Sequence, residues 1–389
     1  MLGGEPIHQH CSMGNWYQGD LMKFTVSREA LLKPLQNVAG VVERRHTLPI
    51  LSNILLCIKN NQLKLTATDL EVELVAIVSL ESVDEPGETT IPARKLFDIC
   101  KTLSTENVLE IDVKEHKAII KSSRSRFTLS TLPAADFPNL EEGLGTTEFL
   151  INTSKLQHLI VSTSFAMAQQ DVRYYLNGML LETRSGSLKA IATDGHRLAI
   201  REENCEIGGG NSTKQVIVPR KGILELSRLF EEDEEVTVSI GSHHIKVSGS
   251  VLTFTSKLVD GKFPDYTRVL PKMSENIMTC NREVLKLALS RTAILSNEKY
   301  RGIRLHFTKN KLTLYANNPE QEEAEEHVDV EYSGADLEVG FNVAYLIDVF
   351  SVLKEEQVSM SLADSNSSVL INGVNSDSKS AYVVMPMRL

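Results

Sequence analysis

Residues 171–200 read DVRYYLNGMLLETRSGSLKAIATDGHRLAI: an apolar strand, a polar turn, an alternating strand, then Ala192-Thr-Asp. The same order of events occurs at 47–74, TLPILSNILLCIKNNQLKLTATDLEVEL, and at 297–326, NEKYRGIRLHFTKNKLTLYANNPEQEEAEE. Asp69, Asp194 and Asn318 occupy the same point of each unit, 125 and 124 residues apart. Self-similarity at a fixed spacing marks a repeated structural unit and has to be settled before any local detail.

The flanks repeat in the same order. Upstream stand KFTVSREALLKPL at Lys23, EFLINTSKLQHLI at Glu148 and IMTCNREVLKLAL at Ile277. Downstream stand TTIPARKLFDICKTL at Thr89, QVIVPRKGILELSRLF at Gln215 and EVGFNVAYLIDVFSVL at Glu338. The units close on STLPAADFPNL, SKLVDGKFPDYTRVL and AYVVMPMRL, from Ser130, Ser256 and Ala381. We therefore expect a leader at 1–21 followed by three copies of one domain, at 22–145, 146–272 and 273–389.

Within a copy, short Val/Ile/Thr-rich alternations such as KLTLYA predict strands. Two segments per copy have helical spacing, giving an α+β unit of two helices and about eight strands. Ser27 and Asn281 are expected N-caps, and Ser154-x-x-Gln157 has the form of a capping box. Pro34 falls inside the first apolar stripe, where a kink is expected.

The length of 389 residues suits two or three domains, and 42% apolar residues are enough for sizeable cores. With 41 Lys and Arg against 51 Asp and Glu the net charge is −10, which at first sight argues against a nucleic-acid binder. The six expected helices reverse the sign. Segments 27–45, 93–103, 154–170, 219–230, 281–301 and 342–354 together carry about +10, leaving about −20 elsewhere. Any one helix alone reads as a solvated face with surplus lysine. Agreement across five of six points to a shared basic surface that attracts phosphates without reading bases.

Other classes fall away. No run approaches the ~18 apolar residues of a membrane span, and the leader lacks the basic and apolar regions of a secretory signal. Five scattered cysteines, none in a C-x-x-C pair, fit a reducing cytoplasm rather than a disulfide framework or zinc site. Adjacent His243 and His244 on a strand would point to opposite faces, a poor metal pair. Gly208-Gly-Gly lacks the lysine of a phosphate-binding loop, and no cofactor is expected.

Several stretches carry a resemblance. Met22-Lys-Phe-Thr-Val, Thr47-Leu-Pro-Ile-Leu, Asp171-Val-Arg-Tyr-Tyr-Leu-Asn-Gly, Ala192-Thr-Asp-Gly-His-Arg-Leu, Phe263-Pro-Asp-Tyr and Tyr382-Val-Val-Met-Pro-Met-Arg-Leu are similar to hallmarks of the β sliding clamps of bacterial DNA polymerase III. The resemblance covers everything after the leader. It implies three DNA-clamp domains per chain and a head-to-tail dimeric ring, with helices lining the hole and sheets outside. It implies a processivity factor that encircles duplex DNA and tethers the replicative polymerase and repair proteins, and that an ATP-driven clamp loader must open. Such a protein carries no catalysis.

The resemblance also implies sites. Leu176, Thr193, Gly195, His196, Arg197, Leu198, Pro264, Val269, Tyr345, Val383, Met385, Pro386, Met387, Arg388 and Leu389 match a pocket for partner peptides. Gln170, Arg173, Tyr174 and Tyr175 match a DNA-touching loop. The family often has His where this chain has Gln169. Arg45, Arg94, Arg220, Lys221 and Arg268 are further DNA candidates. Ordinary strand-start aromatics and solubility charges would account for the same residues one at a time. The acidic run with Glu320, Glu322 and Glu323 is expected to meet Lys95, Arg124 and Arg126 of a second chain. Phe127, Leu129, Ile294 and Leu295 would form the apolar centre there, and opposed charges would orient assembly more than tighten it. The alternative from another class is an enzyme built on Asp194 and His196. No Ser or Cys nucleophile accompanies them, and the first copy reads Asp69-Leu-Glu at that place. A third possibility is a structural scaffold that never meets DNA.

Overall fold

The computed structural model describes residues 21–42, 48–138, 140, 147–207, 213–230, 233–271, 274, 276–375 and 379–388. Arg45, Leu389 and the leader, save Leu21, lie outside them. The contacts divide the chain into two compact units, Met1–Leu140 and Glu141–Leu389.

The first unit holds one copy. Strand β1 (Met22–Ser27) leads into α1 (Arg28–Val41); then come β2 (Asn53–Lys59), β3 (Gln62–Thr68), β4 (Val72–Ser79), β5 (Ser82–Glu85) and β6 (Glu88–Pro92). Helix α2 (Ala93–Thr102) precedes β7 (Val108–Lys114), β8 (Lys117–Ser122) and β9 (Ser125–Ser130). One sheet runs β5-β1-β7-β8-β9, and β4-β3-β2-β6 follow one another in a second. Strands β1, β7 and β8 bury alternate residues, the period-two signature of a half-covered sheet. Leu31, Leu35 and Val38 line the buried stripe of α1.

The second copy opens with β10 (Thr147–Asn152) and α3 (Thr153–Thr163), followed by β11 (Gly178–Arg184), β12 (Ser187–Thr193), β13 (Arg197–Asn204), β14 (Glu206–Ile207) and β15 (Lys214–Pro219). It ends with α4 (Arg220–Leu229), β16 (Glu235–Ile240), β17 (His244–Ser248) and β18 (Leu252–Lys257). The third has β19 (Ile277–Asn281), α5 (Arg282–Thr292), β20 (Gly302–Thr308), β21 (Lys311–Asn317), β22 (Glu323–Asp329) and β23 (Leu337–Asn342). Helix α6 (Val343–Val352), β24 (Gln357–Ser361), β25 (Val369–Gly373) and β26 (Lys379–Val384) complete it. The two copies share one sheet, β15-β11-β12-β13-β26-β25-β24-β19, sewn together by antiparallel β13 and β26. That shared ladder places both in one unit. The third copy's other sheet is β22-β21-β20-β23. Strands β9 and β22 are therefore each outermost in a sheet, with one side of the backbone unpaired there.

Equivalent residues repeat one tertiary device. After the Ser27 cap, Arg28 Nε donates to the Cys100 carbonyl at the end of α2, 3.1 Å away. After the Asn281 cap, Arg282 Nη1 donates to the Phe350 carbonyl and Nε to that of Glu355, each at 3.1 Å. Each arginine thus satisfies a carbonyl in the last turn of a helix, and Arg282 also one just beyond it.

Several expectations need correction. Asn152, not Ser154, caps α3: its Oδ1 accepts from Ser154 N at 2.9 Å, because β10 ends two residues before the expected box begins. Helices α1, α3 and α5 end at Val41, Thr163 and Thr292, well short of Arg45, Gln170 and Arg301. Beyond α3 and α5 lie single 3-10 turns, Ser164–Ala166 and Ala293–Leu295. Pro34 lies inside α1, so the kink expected there does not end the helix. His243 precedes β17 rather than sharing it with His244.

Candidate functional site

The Ala192-Thr-Asp segment is a turn whose side chains are spent on the backbone. Thr193 Oγ1 donates to the Arg197 carbonyl at 2.6 Å and accepts from Gly195 N at 3.0 Å. Asp194 Oδ1 accepts from the backbone N–H groups of His196 at 2.9 Å and Arg197 at 3.0 Å. The first copy is built alike: Thr68 Oγ1 donates to the Val72 carbonyl, and Asp69 Oδ1 accepts from Glu71 N and Val72 N. In the third, Asn318 Oδ1 accepts from Glu322 N at 2.9 Å. A Thr-Asp pair recurs because it closes the turn between two strands. Asp194 thereby has the turn-closing role that Asp69 has in the first copy.

Arg197 is the hub of the second copy's turn. Its Nε donates to Asp194 Oδ2 at 3.0 Å, Nη1 to Asp348 Oδ2 of α6 at 2.5 Å, and Nη2 to the Phe165 carbonyl at 2.6 Å. The guanidinium also lies 4.4 Å from the centroid of Tyr345 and 5.2 Å from that of Phe165. Planar, donor-rich and able to stack, arginine alone suits this site.

Beside the turn opens a cavity of about 200 Å³, lined among others by Leu176, Thr193, Gly195, His196, Arg197, Leu198, Pro264, Val269, Val383 and Met385. Ten of the sequence-derived pocket residues thus converge from the 3-10 turn before β11, from β12, β13 and the turn between them, from the end of β26 with Met385 after it, and from the segment after β18. Tyr345 stands just behind, its ring 6.5 Å from that of His196. The C-terminal segment is held between the two copies: Met385 N donates to the His196 carbonyl at 2.9 Å and Met387 N to the Gly340 carbonyl at 2.8 Å. Met387 bridges strand β23, and Pro386 and Arg388 flank it outside the lining.

Four lining residues were not foreseen there. Asp265 and Tyr266 belong to the quoted Phe263-Pro-Asp-Tyr motif, which was their signal. Asp265 caps the 3-10 turn Tyr266–Val269 by accepting from Thr267 N. The Tyr266 hydroxyl lies 3.4 Å from both carboxylate oxygens of Glu182, which is 2% exposed. Burial, with Glu182 beside it, pushes that phenol up to about 12. The other two, Arg173 and Tyr175, are lining residues that the resemblance had placed on the DNA-touching loop. Arg173 is folded back: its Nε donates to Asp171 Oδ1 at 3.0 Å, and its Nη2 to Asp171 Oδ2 at 2.9 Å and to the Asp194 carbonyl at 3.2 Å. Those bonds hold the Asp171 carboxyl well below its usual range, at about 2.

The remaining DNA candidates lie on several elements. Gln170 takes a left-handed backbone, φ 57°, and Tyr174 is exposed on the same loop. Arg94 gives one N–H to the Val42 carbonyl, and Arg220 one to that of Met167. Lys221 lies in the first turn of α4, and Arg268 pairs with Asp265 at 3.0 Å. The six observed helices hold twelve Lys and Arg against five Asp and Glu, a net +7 within a chain of −10.

The assembly candidates sit on the edge strands and near them. On β9, Arg126 is exposed, with Phe127 and Leu129 half-buried; Arg124 precedes the strand and Lys95 lies on α2. Glu323 starts β22, with Glu320 and Glu322 in the turn before it. Ile294 is 75% exposed after α5, beside half-buried Leu295. Among the described residues no cluster of His, Cys, Asp and Glu could hold a metal, and no helix is long and apolar enough to cross a membrane.

Three family descriptions match in order: the N-terminal domain of the DNA polymerase III beta subunit over residues 22–141, its central domain over 150–265 and its C-terminal domain over 267–388. The chain is 62% identical to the Beta sliding clamp of Pseudomonas aeruginosa over 369 residues, 95% of this chain and 100% of that protein. With the Beta sliding clamp of Escherichia coli K12 the identity is 53% over the same shares. A crystal structure of the P. aeruginosa clamp bound to griselimycin superposes with a TM-score of 0.92 at 61% identity, covering 95% of this chain and 100% of that one. The chain therefore belongs to the DNA polymerase III beta subunit family, the beta sliding clamps, and is a non-catalytic processivity subunit of three clamp domains.

Proposed function

We propose that two copies of this chain close head to tail round duplex DNA, with clamp domains at 22–145, 146–272 and 273–389, and hold the replicative polymerase there. The observation that carries this reading is the seam between the second and third copies. There the edge of one copy, β13, pairs with the last strand of the next, β26. The equivalent strands at the two ends of the chain, β22 and β9, are outermost in their sheets. A head-to-tail contact repeats until it closes or runs on as a filament.

Copying the internal seam onto those edges gives a register. Leu198 faces Thr193 as Glu323 faces Asn317, and Tyr382 faces Ile371 as Phe127 faces Ile120. Because Ala199 lies opposite Tyr382 and Ile200 opposite Ala381, Ala324 would lie opposite Phe127 of the partner subunit, and Glu325 opposite Arg126 of the partner subunit. By the same rule Glu322 takes the place of Arg197 and Lys95 that of Tyr345. Acid meets base at both points, which supports a second copy as the occupant of these edges.

Encirclement needs no strong contact with DNA, so a basic set of helices in an acidic chain suits sliding on phosphates. The apolar cavity with a few polar groups suits short linear segments of partner proteins, the polymerase and an ATP-driven loader among them. A replication subunit of this kind works in the cytoplasm, on the chromosome. Light scattering tests the assembly: Ile294→Asp with Leu295→Asp should lower the mass from twice the chain's 43.2 kDa to one. An unchanged mass would discard this interface.

A further inference from the structure

Asp171, Val172 and Arg173 stand together on the loop before β11, and only Val172, 95% exposed, is without an evident anchor. Asp171 is fixed from behind: its N–H donates to Asn177 Oδ1 at 2.9 Å, and its carbonyl accepts from Asn177 Nδ2 at 2.8 Å. From that footing its carboxylate takes Arg173 three times, through the backbone N–H at 2.8 Å and through Nε and Nη2. The guanidinium is then laid across the turn at Gly195. A Cβ there would come within 3.0 Å of both Nη1 and Nη2, and φ is +89°. Glycine at 195, whose positive φ disfavours a side chain, leaves the guanidinium room to lie this close to the turn.

An exposed ion pair two residues apart adds little to stability. Its consequence is orientation, because a bidentate carboxylate fixes the plane of a guanidinium that would otherwise sample many rotamers. We infer that Asp171 is a positioning residue for the peptide pocket: it holds Arg173 in the pocket wall and keeps that cation from turning outward. The inference rests on the cavity being the peptide site. An occupant then meets a preorganised cation, and the ordering entropy of the arginine is already lost before binding.

Griselimycin, which the P. aeruginosa clamp binds, serves as the probe, titrated calorimetrically into the full-length chain. Met385→Asp, in the cavity wall, tests the pocket itself, and unchanged binding there overturns both the pocket assignment and this inference. With the pocket upheld, Asp171→Asn, which keeps the shape and loses the charge, should weaken binding about tenfold at an unchanged melting temperature. In an Arg173→Ala background the same change should have no further effect. Wild-type affinity in Asp171→Asn, or an equal loss in both backgrounds, overturns the inference alone, since a purely structural Asp171 would act without Arg173.

Discussion

Asp171 and Arg173 lie two residues apart in sequence yet serve a place that neither residue type announces. The resemblance put Arg173, Tyr174 and Tyr175 on a DNA-touching loop; in the structure Arg173 and Tyr175 line the cavity, and Tyr174 is exposed. Arg173 is laid against the turn at Gly195, more than twenty residues on, and no local pattern links the two. Asp194, by contrast, was legible: its recurrence as Asp69 pointed to a turn rather than to catalysis, and both aspartates cap backbone N–H groups. The Asp171 carboxyl has a consequence in acid. Its pKa is depressed, from 3.8 to about 2, chiefly by the Arg173 hydrogen bonds. The small stabilisation this exposed pair gives is therefore present above pH 3.8 and lost as pH falls through about 2. An NMR titration of this carboxyl should have its midpoint near 2. A midpoint at the ordinary aspartate value would mean the clasp does not form in solution.

At the scale of elements, repetition made the sequence readable. Helices α2, α4 and α6 fall at their expected places because a Pro or Asn marks each start and the apolar spacing is clear. The ends of α1, α3 and α5 were set too late. Their apolar stripes run on into 3-10 turns or beyond the helix, and periodicity alone does not distinguish these. Within each copy, strands joined by short turns, such as β2 with β3 and β11 with β12, pair antiparallel. The pairing of β13 with β26 follows from no such turn, since nothing local names a partner 180 residues away. That seam predicts the one between chains. Antiparallel Cα atoms directly opposite lie about 4.5–5.5 Å apart, within reach of a disulfide. Arg126→Cys combined with Glu325→Cys should therefore give a covalent dimer on mild oxidation, seen on a non-reducing gel. Monomer alone would contradict the copied register, and the five native cysteines call for the same gel on the unsubstituted chain.

For the whole molecule, the net −10 conceals a division of labour. Twelve basic residues on six helices, against five acidic ones, make those helices the positive part of an acidic chain. The bulk composition hid this, and it became legible only once the repeat had said which segments belong together. A protein that holds DNA by closure rather than by affinity can have weak, salt-sensitive phosphate contacts and still stay on the duplex. The most direct measurement of that claim is to load the chain onto nicked circular plasmid with a clamp loader and ATP, and then to linearise the plasmid. Encirclement predicts retention on the circle through gel filtration and loss once the DNA is cut. Equal retention on circular and linear DNA would contradict it.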